Sequence, residues 1–110
     1  MSNDRELLEL AATAAGNGAQ WDNPERGMMV LSTSGFDVDR WNPLIDDGDA
    51  LRLLVRLVTQ GHDIRLFMYK DHVALYAPED AFLSKYLDDP CAATRRAIVR
   101  AAAEIGRAMK

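Results

Sequence analysis

Apolar residues recur at helical spacing near both ends of the chain, and this pattern predicts a helix at each end. Across residues 3–15, leucines and alanines follow one another at intervals of three and four. Gly16 then favours a stop, because glycine readily adopts the backbone geometry that ends a helix. Toward the C-terminus, Asp89 and Pro90 are typical of a helix start, since aspartate caps free N–H groups and proline suits the first helical position. This last helix is predicted to run to the end of the chain.

Alternation of apolar and polar residues in the middle of the chain predicts β-strands. One hairpin is expected within 28–40, where a β-prone run is followed by a Ser-Gly turn and an alternating segment. A second hairpin is expected within 63–77, where apolar side chains of both strands fall on one face. Residues 19–27 have turn chemistry and predict a surface loop. The stretch 78–89 leaves open a short helix or an ordered loop, with a weak preference for one apolar helical face.

The segment 41–57, WNPLIDDGDALRLLVRL, places an Asn-Pro turn and three aspartates directly before a strongly apolar stretch. One of Asp46, Asp47 and Asp49 can cap the helix that starts there, and acidic side chains at this end also meet the positive pole of the helix dipole. Leucines and valines cover most of the helix surface from 51 to 58 and leave a narrow polar stripe. We therefore expect this helix to be central and covered on most sides.

Together these elements predict an α+β fold in one domain spanning residues 1–110. About four antiparallel strands form two hairpins, and three main helices pack with them. The length suits a single hydrophobic core, and 48% hydrophobic residues with 27% charged residues is the composition of an ordinary globular protein.

Charge and cysteine content narrow the classes of function. The formal net charge of -4 gives the chain no electrostatic reason to seek nucleic acid or anionic lipid, so neither is an expected partner. A single cysteine, Cys91, rules out an internal disulfide and a multi-cysteine zinc site. The charged N-terminal residues do not resemble a secretion signal, and no apolar run approaches the roughly eighteen residues that span a bilayer. The expected location is the cytoplasm.

Candidate catalytic and metal-binding residues each have a simpler structural interpretation. Asp46, Asp47 and Asp49 could hold a metal ion for a hydrolase or nuclease, but helix capping explains the cluster with fewer assumptions. Asp71 and His72 could form an acid-base pair, yet neighbours within a strand point to opposite faces, so a hairpin turn is favoured. We expect no catalytic constellation, no metal and no cofactor.

Partner binding is the remaining expectation, because tryptophans and charged faces are common at interfaces. Trp41 is expected to close the core, whereas Trp21 is the tryptophan expected to be exposed. An acidic edge and an arginine-rich face of the last helix are alternative charged surfaces, and the acidic edge is favoured. The candidate partner-binding residues are Trp21, Asp37, Asp39, Asp46, Arg96 and Arg100.

The chain also resembles a known family. WNPLIDDGDALRLLVRL, ATRRAIVRAAAEIGRAM and RELLELAATAAG look like segments of the small phage and prophage proteins grouped as the phage alpha-beta-alpha sandwich domain. Trp41, Pro43, Asp46, Asp49 and Ala50 would occupy its helix-start motif. The resemblance covers most of the chain, but these motifs serve packing and capping, and the family has no general activity to carry over.

The resemblance implies that the three main helices and the two hairpins pack as an α-β-α sandwich, and it implies a phage or prophage origin. Together with the expected lack of a catalytic constellation, it predicts a non-enzymatic accessory role. We expect the chain to bind a host or phage protein, for example as an inhibitor of a bacterial defence complex of the CRISPR-Cas type. One alternative is a homo-oligomer, such as a homodimer, that buries the apolar surplus of residues 51–58 between subunits. The other is the metal-dependent hydrolase or nuclease that uses Asp46, Asp47 and Asp49.

Overall fold

The structure is a computed structural model that describes residues 4–31, 38–78 and 80–109, with only the backbone of Leu31 and Val38. Helices and strands alternate within these ranges. In chain order they are α1 (Asp4–Ala15), β1 (Gln20–Trp21), β2 (Met28–Leu31), β3 (Val38–Arg40), α2 (Asp47–Thr59), β4 (Arg65–Met68), β5 (His72–Tyr76), β6 (Ala81–Lys85) and α3 (Pro90–Ala108).

The strands form two antiparallel sheets, ordered β1-β2-β3 and β4-β5-β6. The α+β class is confirmed, but the prediction of four strands in two hairpins is too simple because each hairpin gains a third strand. Gln20 and Trp21 pair with Met29 and Met28, so the expected loop over 19–27 contains a short strand. Its remaining residues form the expected turn. The Ser-Gly turn of the first hairpin lies outside the described residues.

The stretch 78–89 contains strand β6, so the expected helix or loop there is wrong. Phe82 lies opposite the core residue Leu75 and is 6% exposed, whereas its neighbour Leu83 is 57% exposed. This alternation has the period of a strand, since successive side chains of a strand point to opposite faces. The register with β5 therefore decides which of the two apolar neighbours is buried.

Helix α3, and not α2, is the central helix of the fold. It packs against α1, α2, β5 and β6, and most of its alanines are buried. In α2 only Ala50, Leu53 and Leu57 are buried, while several leucines and valines on its other sides are exposed. An apolar surface on all sides of a helix therefore does not identify the most buried helix of this fold. A high content of small side chains identifies it, because small side chains let neighbouring backbones come close.

The contact between α1 and α3 shows this close approach. A Cβ atom added at Gly106 would lie 1.9 Å from the carbonyl oxygen of Leu10, which is backbone and cannot rotate away. Ala11, Ala14 and Ala103 are also fully or almost fully buried. The alanine-rich composition of both helices is thus explained by the short distance between their backbones.

Helix α2 joins this pair through hydrogen bonds to the end of α1. Arg56 Nε donates to the carbonyl oxygen of Ala15 at 2.8 Å, and Gln60 Nε2 donates to the same atom at 3.1 Å. The last carbonyls of a helix have no partner inside the helix, so these bonds satisfy one of them. Arg56, which belongs to the polar stripe of α2, therefore reaches the C-terminal end of α1.

The helices cover only one face of the β4-β5-β6 sheet. On that face Leu66, Leu75 and Phe82 belong to the core or pack against it. On the other face Phe67, Tyr76 and Leu83 are exposed. This sheet has helices on one side, unlike a sheet within the predicted α-β-α sandwich. One core cluster contains residues of all three helices and of both sheets.

Candidate interaction groove

The three aspartates before α2 have different partners. Asp46 is the N-cap residue of α2, and its Oδ2 accepts a hydrogen bond from the backbone N–H of Asp49 at 2.8 Å. Asp49 Oδ2 accepts from the backbone N–H of Asn42 at 2.9 Å, and its Oδ1 accepts from Arg52 Nη2 at 2.7 Å. Asp47 Oδ1 accepts from Arg95 Nη1 at 2.6 Å.

These partners give each carboxylate a structural role. Asp46 caps the helix, Asp49 holds the Asn-Pro turn against it, and Asp47 ties the helix start to α3 through Arg95, which also donates to Leu44 O at 2.8 Å. Across the described residues, no group of three or more His, Cys, Asp or Glu side chains is arranged to hold a metal ion. Each of the three side chains therefore has a structural partner, and Asp46 alone of the three is the N-cap.

The two tryptophans lie close to this helix start and differ in exposure. Trp41 is 7% exposed and belongs to the core, as predicted, and its backbone N–H donates to Met28 O at 2.9 Å. Trp21 is half-buried and packs against the core from β1. The guanidinium carbon of Arg5 lies 5.0 Å from the centroid of the Trp21 ring, which is within cation-π distance. Trp21 is thus partly covered, by a cation from α1.

Trp21 forms part of a groove, which we call the Trp21 groove, between α1, the β1-β2 turn, β3 and the loop before α2. The turn is fixed by Asn23, whose Oδ1 accepts from the N–H groups of Glu25 and Arg26. Ile45, 74% exposed, supplies an apolar side chain at the opposite wall. The lining residues that matter most for the chemistry of the Trp21 groove are Arg5, Trp21, Arg26, Arg40, Ile45 and Asp46.

The charges of the Trp21 groove are mixed. Arg5 pairs with Glu9 at 3.0 Å, and Arg26 pairs with Asp22 at 3.7 Å. The side chain of Arg40 makes no hydrogen bond or ion pair with any residue that the structure describes. A partner that brings a carboxylate could therefore bind Arg40 without breaking a pair seen in the structure.

The expected acidic edge is therefore less uniform than the sequence pattern indicates. Asp39 is exposed on β3, but it is followed by the exposed Arg40. Asp46 is exposed too, yet Arg52 Nη2 lies 3.8 Å from its Oδ2. Asp37 lies outside the described residues. A cation thus lies near Asp46, and Arg40, unlike Asp39, lines the Trp21 groove.

The arginines of α3 do not line this groove, although Arg96 pairs with Asp4 at its border, and two of these arginines are paired with acidic residues of α1. Arg96 Nη2 pairs with Asp4 Oδ1 at 3.2 Å, and Arg107 Nη1 pairs with Glu6 Oε1 at 3.5 Å. The guanidinium carbon of Arg100 lies 5.4 Å from the centroid of the Phe82 ring. Arg96 and Arg100 line a separate shallow depression between α3 and β6. The structure therefore brings Trp21 and Asp46 together and leaves the arginines elsewhere.

Asp71 and His72 contact each other, contrary to the expectation that they point apart. His72 Nδ1 lies 2.7 Å from Asp71 Oδ1, because Asp71 belongs to the turn before β5 and not to the strand. This hydrogen bond is the main reason that the pKa of Asp71 is lowered from its ordinary value. The His72 ring also stacks on Tyr69, with centroids 4.6 Å apart. The pair lies at the tip of the β4-β5 hairpin and stabilises the predicted turn.

Arg40 and Ile45 were missed by the sequence analysis. Arg40 closes an alternating segment, where a charged residue is common, and Ile45 is one apolar residue between Leu44 and Asp46. The only sequence signal for Ile45 is that two consecutive apolar residues precede a cap, so one of them must point away from the core. Leu44 is the buried one.

Comparisons with protein-family models, with curated proteins and with solved structures gave no match for this chain. No helix in the described part of the chain has the length and apolar content needed to cross a bilayer.

Proposed function

We propose that this chain is a non-enzymatic protein that binds a protein partner through the Trp21 groove. The observation that carries the proposal is an exposed apolar anchor next to an unpaired cation: Ile45 is 74% exposed, and Arg40 has no partner among the described side chains. Both residues line a groove whose inner wall contains the half-buried Trp21. Interfaces commonly combine an aromatic or apolar centre with charged groups at the rim.

The residues around the Trp21 groove are held in place by the fold, which favours a preformed binding site. Trp21 packs on the core, Asp46 caps α2, and Asn23 fixes the turn that forms one wall. Side chains held in this way lose little conformational freedom when a partner binds. Ile45 and Arg40 are the two residues that would gain most from a partner, because burial benefits the first and a carboxylate benefits the second.

The partner's surface should match this chemistry. It needs an apolar side chain to cover Ile45 and an acidic group to meet Arg40, and it need not be strongly basic because the groove carries charges of both signs. The more detailed proposal, a phage or prophage accessory protein that inhibits a host defence complex, is supported by the family resemblance of residues 41–57 and of the terminal helices.

The test is affinity capture from a bacterial lysate, followed by mass spectrometry, with four forms of the chain. Ile45→Glu and Arg40→Glu alter the groove, and Met109→Glu is the control because Met109 is exposed at the far end of α3. We expect a protein captured by the unaltered chain and by Met109→Glu to be lost with both groove variants. Equal capture by all four forms would contradict binding through the Trp21 groove.

A further inference from the structure

A second surface, lined by other residues than the Trp21 groove, is apolar and uncovered. Helix α2 presents Leu51, Val55 and Val58 on one stripe, and these side chains are between 48% and 60% exposed. They recur at intervals of four and three residues, which places them on one side of the helix. Monomeric proteins rarely expose contiguous apolar surface of this kind without a use for it.

Strand β4 lies beside this stripe and is an edge strand. It ends the order β4-β5-β6, so one side of its backbone has no neighbouring strand in the described sheet. Leu66 and Met68 lie on the core face, opposite Leu75 and Val73, whereas Phe67 lies on the outer face. From Leu66 to Met68 the edge is therefore apolar on both faces, and the charged Arg65 precedes this part on the outer face.

Other edges of the two sheets are protected by charge or by a helix. Strand β3 carries Asp39 and Arg40, and β6 carries Lys85 and packs against α3. Proteins commonly protect edge strands with charged residues or cover them, because an exposed apolar edge pairs readily with another strand. Strand β4 carries the exposed Arg65 at its start, but it has neither protection along Leu66, Phe67 and Met68.

An apolar groove, which we call the α2-β4 groove, joins Leu51 of the α2 stripe to the edge strand. The groove, the stripe and strand β4 together form the α2-β4 surface. The groove's volume of about 240 Å3 is smaller than the roughly 300–1,000 Å3 of small-molecule sites, so it suits inserted side chains better than a cofactor. At its rim, Arg95 Nη1 and Asp47 Oδ1 form an ion pair at 2.6 Å. The side chains that form its floor and walls are Ala50, Leu51, Leu54, Leu66, Met68 and Ile98.

We propose that a second copy of this chain occupies this surface, with the two β4 strands paired antiparallel around a two-fold axis perpendicular to the sheet. Opposite residues then share a face, so Leu66 lies opposite itself or opposite Met68 of the second copy. The core-face side chains of each β4 enter the groove of the other copy. The two sheets join into one of six strands, and the two α2 stripes cover the junction from the same side.

A second copy fits better than a charged partner because a two-fold axis brings each part of the surface against itself or its near neighbours. Unpaired charge at the centre would repel its own copy, and the groove has only the bonded pair of Asp47 and Arg95 at its rim. The exposed side chains of Leu51, Val55, Val58, Phe67 and Met68 amount to on the order of 500 Å2 of apolar surface. That is close to the apolar share of one side of a standard interface, roughly 60% of about 800 Å2.

Dimerisation has a consequence for partner binding but does not depend on it. The Trp21 groove and the α2-β4 groove share no lining residue, although they adjoin at Asp46 and Asp47. Filling one groove therefore does not use the side chains of the other. A dimer would present two Trp21 grooves, and a partner with two matching segments would bind with a raised effective concentration. The two proposals can therefore succeed or fail separately.

The test is sedimentation velocity of the full chain over a range of micromolar concentrations. We expect a species of twice the 12.2 kDa chain mass, and we expect Val55→Glu and Met68→Glu to reduce it to a monomer. Leu83→Glu is the matched control, because Leu83 is exposed on the same sheet but on the opposite edge strand. Circular dichroism would verify that each variant keeps its helices.

Cys91 supplies an independent measurement on the unaltered chain. It is exposed and lines the α2-β4 groove, so its reaction with a thiol reagent should slow as protein concentration rises and dimers form. A chain that stays monomeric at hundreds of micromolar would overturn the proposal. So would a dimer that survives both Val55→Glu and Met68→Glu, or an assembly of three or more copies.

Discussion

Asp46, Asp47 and Asp49 show how one residue type serves three purposes within four positions. All three precede or begin α2, and the sequence alone leaves open which one caps it. The backbone of Asp46 is extended, with φ of -116° and ψ of 118°, and its carboxylate reaches the N–H of Asp49. The carboxylate of Asp49 instead accepts a hydrogen bond from the backbone N–H of Asn42 in the turn, and that of Asp47 accepts one from Arg95 of α3. The cap is therefore decided by backbone conformation, which composition does not reveal.

Replacing Asp46 tests this assignment. Asp46→Ala should lower the free energy of unfolding by about 1 kcal/mol, the usual contribution of a side-chain N-cap. Asp46→Asn should have little effect, because asparagine caps about as well. Urea denaturation followed by circular dichroism measures both. Equal stability of the alanine variant and the unaltered chain would show that another residue caps α2.

Gly106 permits a close approach that a larger residue would prevent. Gly106→Ala places a methyl group 1.9 Å from Leu10 O, so α1 and α3 must separate. We expect destabilisation of about 1–3 kcal/mol, the range for overpacked cores, despite the better helix propensity of alanine.

Gly48→Ala is the matched control for Gly106→Ala. The nearest atoms to an added methyl at Gly48 are the ends of the Arg52 and Asp46 side chains, at 3.1 Å and 3.2 Å, which can shift slightly. Its stability should change by less than about 1 kcal/mol in either direction. If thermal unfolding shows both glycine variants to be equally stable, the proposed backbone contact between α1 and α3 is wrong.

At the scale of elements, local signals predicted the helices well and the strands only in part. Helix α3 was found from Asp89 and Pro90, and the structure confirms Asp89 as its N-cap, accepting from Ala92 N at 3.0 Å. Strand β6 was missed because Phe82 and Leu83 are adjacent apolar residues that suit either a helical face or a strand. Pairing with β5 removes this ambiguity, and pairing depends on residues distant in sequence.

The burial of α2 was misjudged for a related reason. The leucines and valines of α2 have the pattern of a helix that is buried on most sides. The rest of the fold, however, decides how many elements pack against α2. Leu57 is fully buried, while Leu51 is exposed on the α2-β4 surface. The pattern identified an apolar surface correctly but not what covers it.

Phe82 and Leu83 offer a direct test of the β6 register. Phe82→Ala should cost about 3–5 kcal/mol, the usual loss for a buried phenylalanine, whereas Leu83→Ala should cost less than about 1 kcal/mol. A helix with both residues on its buried face would give large losses for both. Urea denaturation of the two variants separates these outcomes.

Over the whole molecule, α3 connects the two sheets. It contacts β5 and β6 directly, and α1, which contacts β1, packs along its other side. This arrangement also explains the limits of the site prediction. Trp21 and Asp46 meet in one groove because α1 and α2 position their loops, while Arg96 and Arg100 lie on a helix face toward α1 and β6. Nothing in the local pattern around any of these residues encodes such distances.

A core shared through α3 predicts that both sheets unfold together. Trp21 in β1 and Trp41 after β3 report on the first sheet by fluorescence, and far-UV circular dichroism reports on all elements. At one protein concentration the two signals should give the same urea midpoint, because neither sheet keeps its core without α3. Leu57→Ala, which removes a fully buried side chain, should lower both midpoints equally. A separate transition in the dichroism signal would instead show that β4-β5-β6 unfolds on its own, and residues 1–110 would then not be one cooperative unit.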